Sequence, residues 1–412
     1  MSTPPQTRQA RQSGPATDAR PLPAPPAPLL LAAAVVLVSL NLRSPITSVP
    51  PLLVTISEDL HLGGAAAGLL TTLPVLCMGL FAPAAQSLAH RIGREAGVTV
   101  ALLLVLAGTL VRLGGGAAAL LYLGAFLAGV GIAIAGTLLP GVVKEHFARR
   151  SGLATGLYMG GMMASAAVAS QLSVPLSHLL GSWQASLSSW SVLTVLALLV
   201  WLPVTRQLRA GHVTLPAAER AGLPYRSVTA WLLAGYLVGN SWEFYTQVSW
   251  IPATYEDLGR SPSAAASMLT IFTVSQAFSG IAAPALADRV RDLRWLLAPA
   301  VLITAVGCVG MTLAPGAAPL LWVLLLGLGL GAGFPLGLVL LVVYSASPTA
   351  AARLTALVFL ISYTAASLGP VVFGALRDAT GGTHIPWAVL LAVGLAQLVF
   401  VSRLKPDLAK VV

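Results

Sequence analysis

The chain has 412 residues, 57% of them hydrophobic and only 9% charged, with a mean hydropathy of +0.85. A soluble protein carries nearer a quarter charged residues, so this composition excludes a water-soluble globule. The net charge of +10 does not point to nucleic acid, because the Lys and Arg fall between apolar segments and form no aromatic-interleaved basic patch.

Residues 1–27 are rich in Pro, Ala, Ser and Arg, with Pro21, Pro23, Pro25 and Pro26 close together, and read as a disordered tail. They run into an apolar stretch too long for a signal-peptide core, with no clear cleavage site, so the first helix is expected to be retained. Apolar spans follow near 29–54, 66–89, 96–113, 117–143, 152–179, 186–205, 228–252, 264–287, 294–314, 318–345, 354–376 and 385–404. Each approaches or exceeds the roughly 20 residues a bilayer core requires. The fold class expected is an all-α membrane protein of twelve transmembrane helices.

With the N-terminus inside, only Arg112, Arg260 and Arg377 of the 23 Lys and Arg lie outside, while Arg43 lies within a span. This strong asymmetry obeys the positive-inside rule, with both termini cytoplasmic and the chain multi-pass in the cell membrane. The longest polar interruption, near 207–226, separates a bundle at 28–206 from one at 227–405, and 406–412 forms a short cytoplasmic tail. The halves look related. Leu88-Ala89-His90-Arg91 recurs as Leu286-Ala287-Asp288-Arg289, and Gly129 and Gly131 recur as Gly327 and Gly329. Thr155-Gly156-Leu157 likewise recurs as Thr355-Ala356-Leu357. A near-constant offset across three helix pairs suggests two pseudo-symmetric six-helix bundles, an arrangement common among secondary transporters.

Two charges lie inside spans. Arg43 sits near the middle of the first, where a cation costs about 2.5–3.5 kcal/mol on insertion scales. It is expected either to face a polar cavity and grip a small oxyanion with its planar fork, or to hold two helices together through a carbonyl or carboxylate. Glu243 lies at a similar depth in the seventh span, so the two could face each other across a cavity. Three readings of Glu243 stand open: a proton carrier, an ion-pair partner that Arg43 releases to substrate, or a charge balance with no transport role. Asn41, Thr47, Tyr158, Asn240, Tyr245, Gln276 and Tyr363 also fall inside spans. They are candidates for the rest of a substrate site or for helix–helix hydrogen bonds. Cys77 and Cys308 read as reduced structural thiols, and His146, His178 and His384 lack metal spacing. No nucleotide-binding loop or catalytic run is present, so neither ATP drive nor an enzyme is expected.

The run Asn41-Leu42-Arg43-Ser44-Pro45-Ile46-Thr47-Ser48-Val49-Pro50-Pro51-Leu52-Leu53 resembles the first span of the major facilitator superfamily's cyanate and 2-nitroimidazole transporter branch. Gly68 to Cys77, Thr155-Gly156-Leu157-Tyr158, Phe244-Tyr245, Trp250-Ile251-Pro252 and Gly369-Pro370 fit the same branch. The chain departs from it at Asn240 and Leu360, where the branch often has Gln. It departs again in the superfamily's first cytoplasmic loop motif, where Gln86 and His90 replace Gly and Asp. The resemblance implies alternating access around a central site that includes Arg43, and a cytoplasmic latch formed by Arg91, Arg94, Asp288 and Arg289. The function expected is secondary transport of a small anionic or polar planar solute by a lipid-embedded monomer with no nucleic-acid partner. No cofactor is expected, with a co-transported proton as an option. Efflux of neutral or cationic drug-like compounds is the alternative, and a membrane-embedded enzyme or sensor a further one.

Overall fold

The computed structural model describes residues 28–114, 116–147, 151–209, 223–287 and 289–412. The expected tail at 1–27, most of the linker and Asp288 lie outside these residues. All described elements are helical, apart from one isolated bridge between Ser345 and Val411. The helices are α1 (Pro28–Leu40), α2 (Ser44–Thr47), α3 (Leu53–Asp59), α4 (Gly64–Ile92), α5 (Arg94–Val111), α6 (Ala118–His146), α7 (Ser151–Leu179) and α8 (Trp183–Ser189). They continue as α9 (Ser191–Arg209), α10 (Val228–Asp257), α11 (Pro262–Ala287), α12 (Arg294–Leu313), α13 (Pro319–Val343), α14 (Pro348–Ala366), α15 (Leu368–Thr380) and α16 (His384–Arg403).

Three expected spans are jointed. The first comprises α1, α2, a 3₁₀ turn at Pro50–Leu52 and α3, the sixth α8 and α9, and the eleventh α14 and α15. Among the described residues, ten whole rods are long and apolar enough to cross a membrane. Helices α7 and α10 add two more rods of 29 and 30 residues. The joints in the first span follow from Pro45, Pro50 and Pro51, since proline removes a helical donor and pushes the residue before it out of the α region.

Two apolar cores form. One lies wholly in the first half and includes Val38, Leu102, Leu138 and Trp201. The other lies wholly in the second half and includes Leu233, Leu297, Leu340 and Leu357. The repeated glycines do matching work in each bundle. A Cβ on Gly129 would meet Pro74 of α4, and one on Gly327 would meet Ser275 and Phe272 of α11. Gly131 likewise abuts Ala101 of α5, and Gly329 abuts Ala300 and Thr304 of α12. Small residues at these crossings let the helix backbones approach where lipid offers no hydrophobic drive.

The chain enters α1 and leaves α16 at one end of the molecule, here called the terminal end. Toward the opposite, far end a third cluster joins the bundles, with Leu52 and Trp183 from one side and Trp250 and Trp387 from the other. Hydrogen bonds cross between the bundles in this half. Asp378 Oδ2 accepts from Gly64 N at 2.6 Å, Thr72 donates to the Ser367 carbonyl, and Ser170 meets Thr270 at 2.9 Å. One face of α4 records the change along its length. Gly64, Gly68, Thr72, Val75 and Gly79 are buried, whereas Pro83 and Ser87, farther along the same face, are exposed. The bundles touch at the far end and splay at the terminal end.

Arg112 corrects the expectation of an outer loop charge. It is 1% exposed, and its Nη1 donates to the Pro45 carbonyl at 3.1 Å. That carbonyl is released because the joint turns the Val49 N–H to Ile46 instead.

Candidate functional site

The joint in the first span places Arg43 in non-helical backbone (φ −121°, ψ −35°), immediately before α2. Its carbonyl accepts from Ile46 N, Thr47 N and Thr47 Oγ1. Its half-buried side chain is thereby aimed sideways into the space between the bundles. The guanidinium lies 5.3 Å from the centroid of the Phe244 ring on α10, a cation–π distance. Phe244 meets Tyr245 edge-on at 4.8 Å, Tyr245 meets Tyr363 of α14 at 6.1 Å, and Tyr363 meets Phe359 at 5.3 Å. Tyr158 of α7, Tyr245 and Tyr363 all lie within electrostatic reach of Arg43. Arg43 has no carboxylate partner among the described residues, and its Nε is buried without a hydrogen bond. The site is a cation walled by aromatic rings from both bundles.

The sequence candidates therefore divide. Arg43, Tyr158, Tyr245 and Tyr363 come together. Thr47 stays beside them, but its hydroxyl is engaged on the Arg43 carbonyl. Asn41 turns the other way. Its side chain donates to the Leu37 carbonyl and accepts from Thr194 of α9 at 2.6 Å, so it ties α1 to α9 inside the first bundle. Asn240 lies against Gly333 of α13. Gln276 is half-buried on α11 and makes no side-chain hydrogen bond among the described residues.

Glu243 does not face Arg43. It is fully buried, and a Cβ on Gly394 of α16 would lie 2.7 Å from its Oε1. Residues 236, 240, 243 and 247 share one face of α10, which looks into the second bundle. Residues 244 and 245 lie about 100° and 200° further round the helix, which sends Phe244 to Arg43 and Tyr245 to Met78 of α4. Sequence reasoning missed Phe244 as a site residue, although the Phe-Tyr pair beside Glu243 carried the signal.

At the terminal end Arg91 and Arg289 are exposed. Arg94 pairs with Glu145 of α6 at 3.1 Å, within its own bundle, rather than reaching across. Asp288, the acidic member of the expected latch, lies outside the described residues. Nearby, Arg294 donates to both Asp292 oxygens and holds that carboxyl below the usual carboxylate range. Glu95, Glu145 and His146 gather their ligand atoms within 4.8 Å of one another, a cluster the sequence reading did not anticipate. Cys77 and Cys308 are free and buried.

Residues 29–370 match the sequence pattern of the Major Facilitator Superfamily. The 2-nitroimidazole transporter of Escherichia coli (strain K12) is 33% identical over 372 residues, covering 90% of this chain and 94% of that protein. The cyanate transport protein CynX of the same organism is 33% identical over 363 residues, covering 87% and 94%. The uncharacterized transporter YycB of Bacillus subtilis (strain 168) is also 33% identical, covering 87% and 89%. Among solved structures, a nucleoside transporter matches with a TM-score of 0.74 at 12% identity, covering 91% and 99%. A D-xylose–proton symporter matches with 0.68 at 14%, covering 90% and 97%. At these identities the structural matches speak to fold alone. The curated relatives and the family pattern together make this chain a transporter rather than an enzyme, and it belongs to the Major Facilitator Superfamily.

Proposed function

We propose that this secondary transporter carries a small planar or linear solute with negative charge delocalised over oxygen or nitrogen, bound at Arg43 between the bundles. The observation that carries the reading is the guanidinium against the Phe244 ring, hydrogen-bonded to Tyr245 but with no carboxylate partner among the described residues, and with Tyr158 and Tyr363 around it. A planar cation fork matches carboxylate-like groups, and ring faces accept flat solutes. Cyanate is such an anion, and the two partly negative oxygens of a nitro group offer the same fork a planar acceptor pair, in keeping with the names of two relatives. Efflux of a cationic drug is disfavoured by the same residue, since Arg43 would repel it from the aromatic wall.

Purified protein should be thermally stabilised by cyanate or a nitroimidazole, and not by a planar cation of similar size. Arg43→Ala should weaken that binding about 10- to 100-fold, the loss expected for a charged hydrogen bond, while the protein still folds. Undiminished binding by the variant would remove Arg43 from the site.

A further inference from the structure

Glu243 lies apart from this site. It is 0% exposed, and neither of its carboxyl oxygens has a hydrogen-bond partner among the described residues. One turn along, the Oε1 of Gln247 is also buried without a partner. Three acceptors therefore share one face of α10 with no donor among them. Among the described residues the surrounding groups supply none: Asn240, one turn back on the same face, turns its amide toward Gly333 of α13. Gly394 of α16 presses against Oε1, and Cys308 of α12 is engaged by Gln247 Nε2 at 3.9 Å. Gln397 of α16 spends its amide on the Tyr236 carbonyl, and the Tyr236 hydroxyl donates to Gly333 of α13. Among the described residues the titratable groups within electrostatic reach are Tyr236 on the same helix and Cys308 on α12, neither of them a base.

An ionised carboxylate buried without any partner is costly. A single proton removes that cost and turns one acceptor into a donor, at the i,i+4 spacing that brings it to Gln247. A metal cation fits poorly. It would require about six or more oxygen ligands, whereas Glu243 and Gln247 offer three free acceptors beside a glycine and a thiol. Neighbouring Phe244 covers Arg43, so any turn of α10 that opens the Glu243 chamber also moves the ring over the anion site.

We propose that Glu243 is a proton-binding site enclosed within the second bundle, separate from the Arg43 cavity, and that its proton is the ion coupled to transport. The coupling half of this statement rests on the transporter reading above. The step is an addition and loss of one proton at the carboxylate, with no other bond changed.

The test uses the full chain in proteoliposomes with cyanate as probe and a pH dye in the lumen. In the wild type a proton gradient should drive cyanate accumulation, and the dye should report protons moving with it. In Glu243→Gln cyanate should still stabilise the protein against heat, while accumulation falls to the equilibrium level and the dye signal disappears. Gradient-driven accumulation by the variant, or wild-type accumulation driven by sodium at constant pH, would overturn the proposal. Infrared spectra of the substrate-free protein give an arm independent of cyanate. A carboxylic-acid carbonyl band should titrate with pH in the wild type and shift in Glu243→Asp. If no such band responds, Glu243 holds no exchangeable proton and the site does not exist, whatever becomes of the Arg43 reading.

Discussion

Two buried or half-buried arginines flank the joint of the first span, and they do different work. Arg43 points its guanidinium at an aromatic wall with no carboxylate among the described residues to neutralise it. Arg112 is almost fully enclosed and spends its Nη1 on the Pro45 carbonyl. Breaking a helix in a membrane leaves carbonyls that no lipid can satisfy, so Arg112 is part of what makes the joint affordable. Arg112→Met should therefore destabilise the protein by about 1–3 kcal/mol, the cost of an orphaned buried acceptor, read as a lowered melting temperature in detergent. Arg43→Ala should leave that temperature near the wild-type value and lose only the anion's stabilising effect. Equal melting temperatures for Arg112→Met and wild type would show that the carbonyl finds another donor. Arg43 was legible in the sequence because a lone charge in mid-span has few explanations. Arg112 was not, because a charge at a helix end has the same pattern whether it faces water or folds back. Asn41 and Asn240 could not be sorted between a substrate site and helix–helix hydrogen bonds for a related reason: a span shows its polar residues in order, but not which face meets the neighbouring bundle.

The helices show how the halves are held. Helix α4 lies along α14 and α15, and the contact narrows to backbone on backbone at the far end. A Cβ on Gly64 would lie 2.6 Å from the Gly374 carbonyl, one on Gly68 would strike Pro370, and one on Gly374 would strike Gly64. Asp378 then caps the first turn of α4 through Gly64 N, where the exposed amides favour a carboxylate. Gly374→Ala should pry α15 from α4 and shift the population toward a state open at the far end. Spin labels at Leu62 and Thr380 should then report a longer distance distribution than in the parent protein, and an unchanged distribution would show that the seam does not set the closed state. The span boundaries were readable from hydropathy to within a few residues in most rods. The first-span joints were signalled by Pro45, Pro50 and Pro51, yet a continuous apolar run still reads as one helix, because hydropathy averages over the break.

At the scale of the whole molecule, two bundles with separate cores meet at one end and part at the other. Helix α7 makes this measurable. Gln171 faces the second bundle, where it accepts from Thr270 of α11 at 3.2 Å. Gly160 lies eleven residues earlier, about three turns, and so on nearly the same face, yet a Cβ there would meet nothing within 4 Å. The gap between the bundles thus opens over some three turns, about 16 Å along the axis. Orientation comes from charge: Arg91, Arg289 and Arg403 are exposed toward the terminal end, with Arg260 and Arg377 at the other, which predicts a terminal end in the cytoplasm. A cysteine at Gly160, with Cys77 and Cys308 replaced by serine, should react with a membrane-impermeant maleimide in inside-out vesicles and not in right-side-out ones. Cyanate should slow that reaction if the cleft is the route to Arg43, because an occupied site favours closure of the bundles around it. Labelling from the outer face alone would reverse the orientation. Equal labelling from both faces would mean that the far-end seam around Gly64 and Gly374 opens as readily as the terminal end.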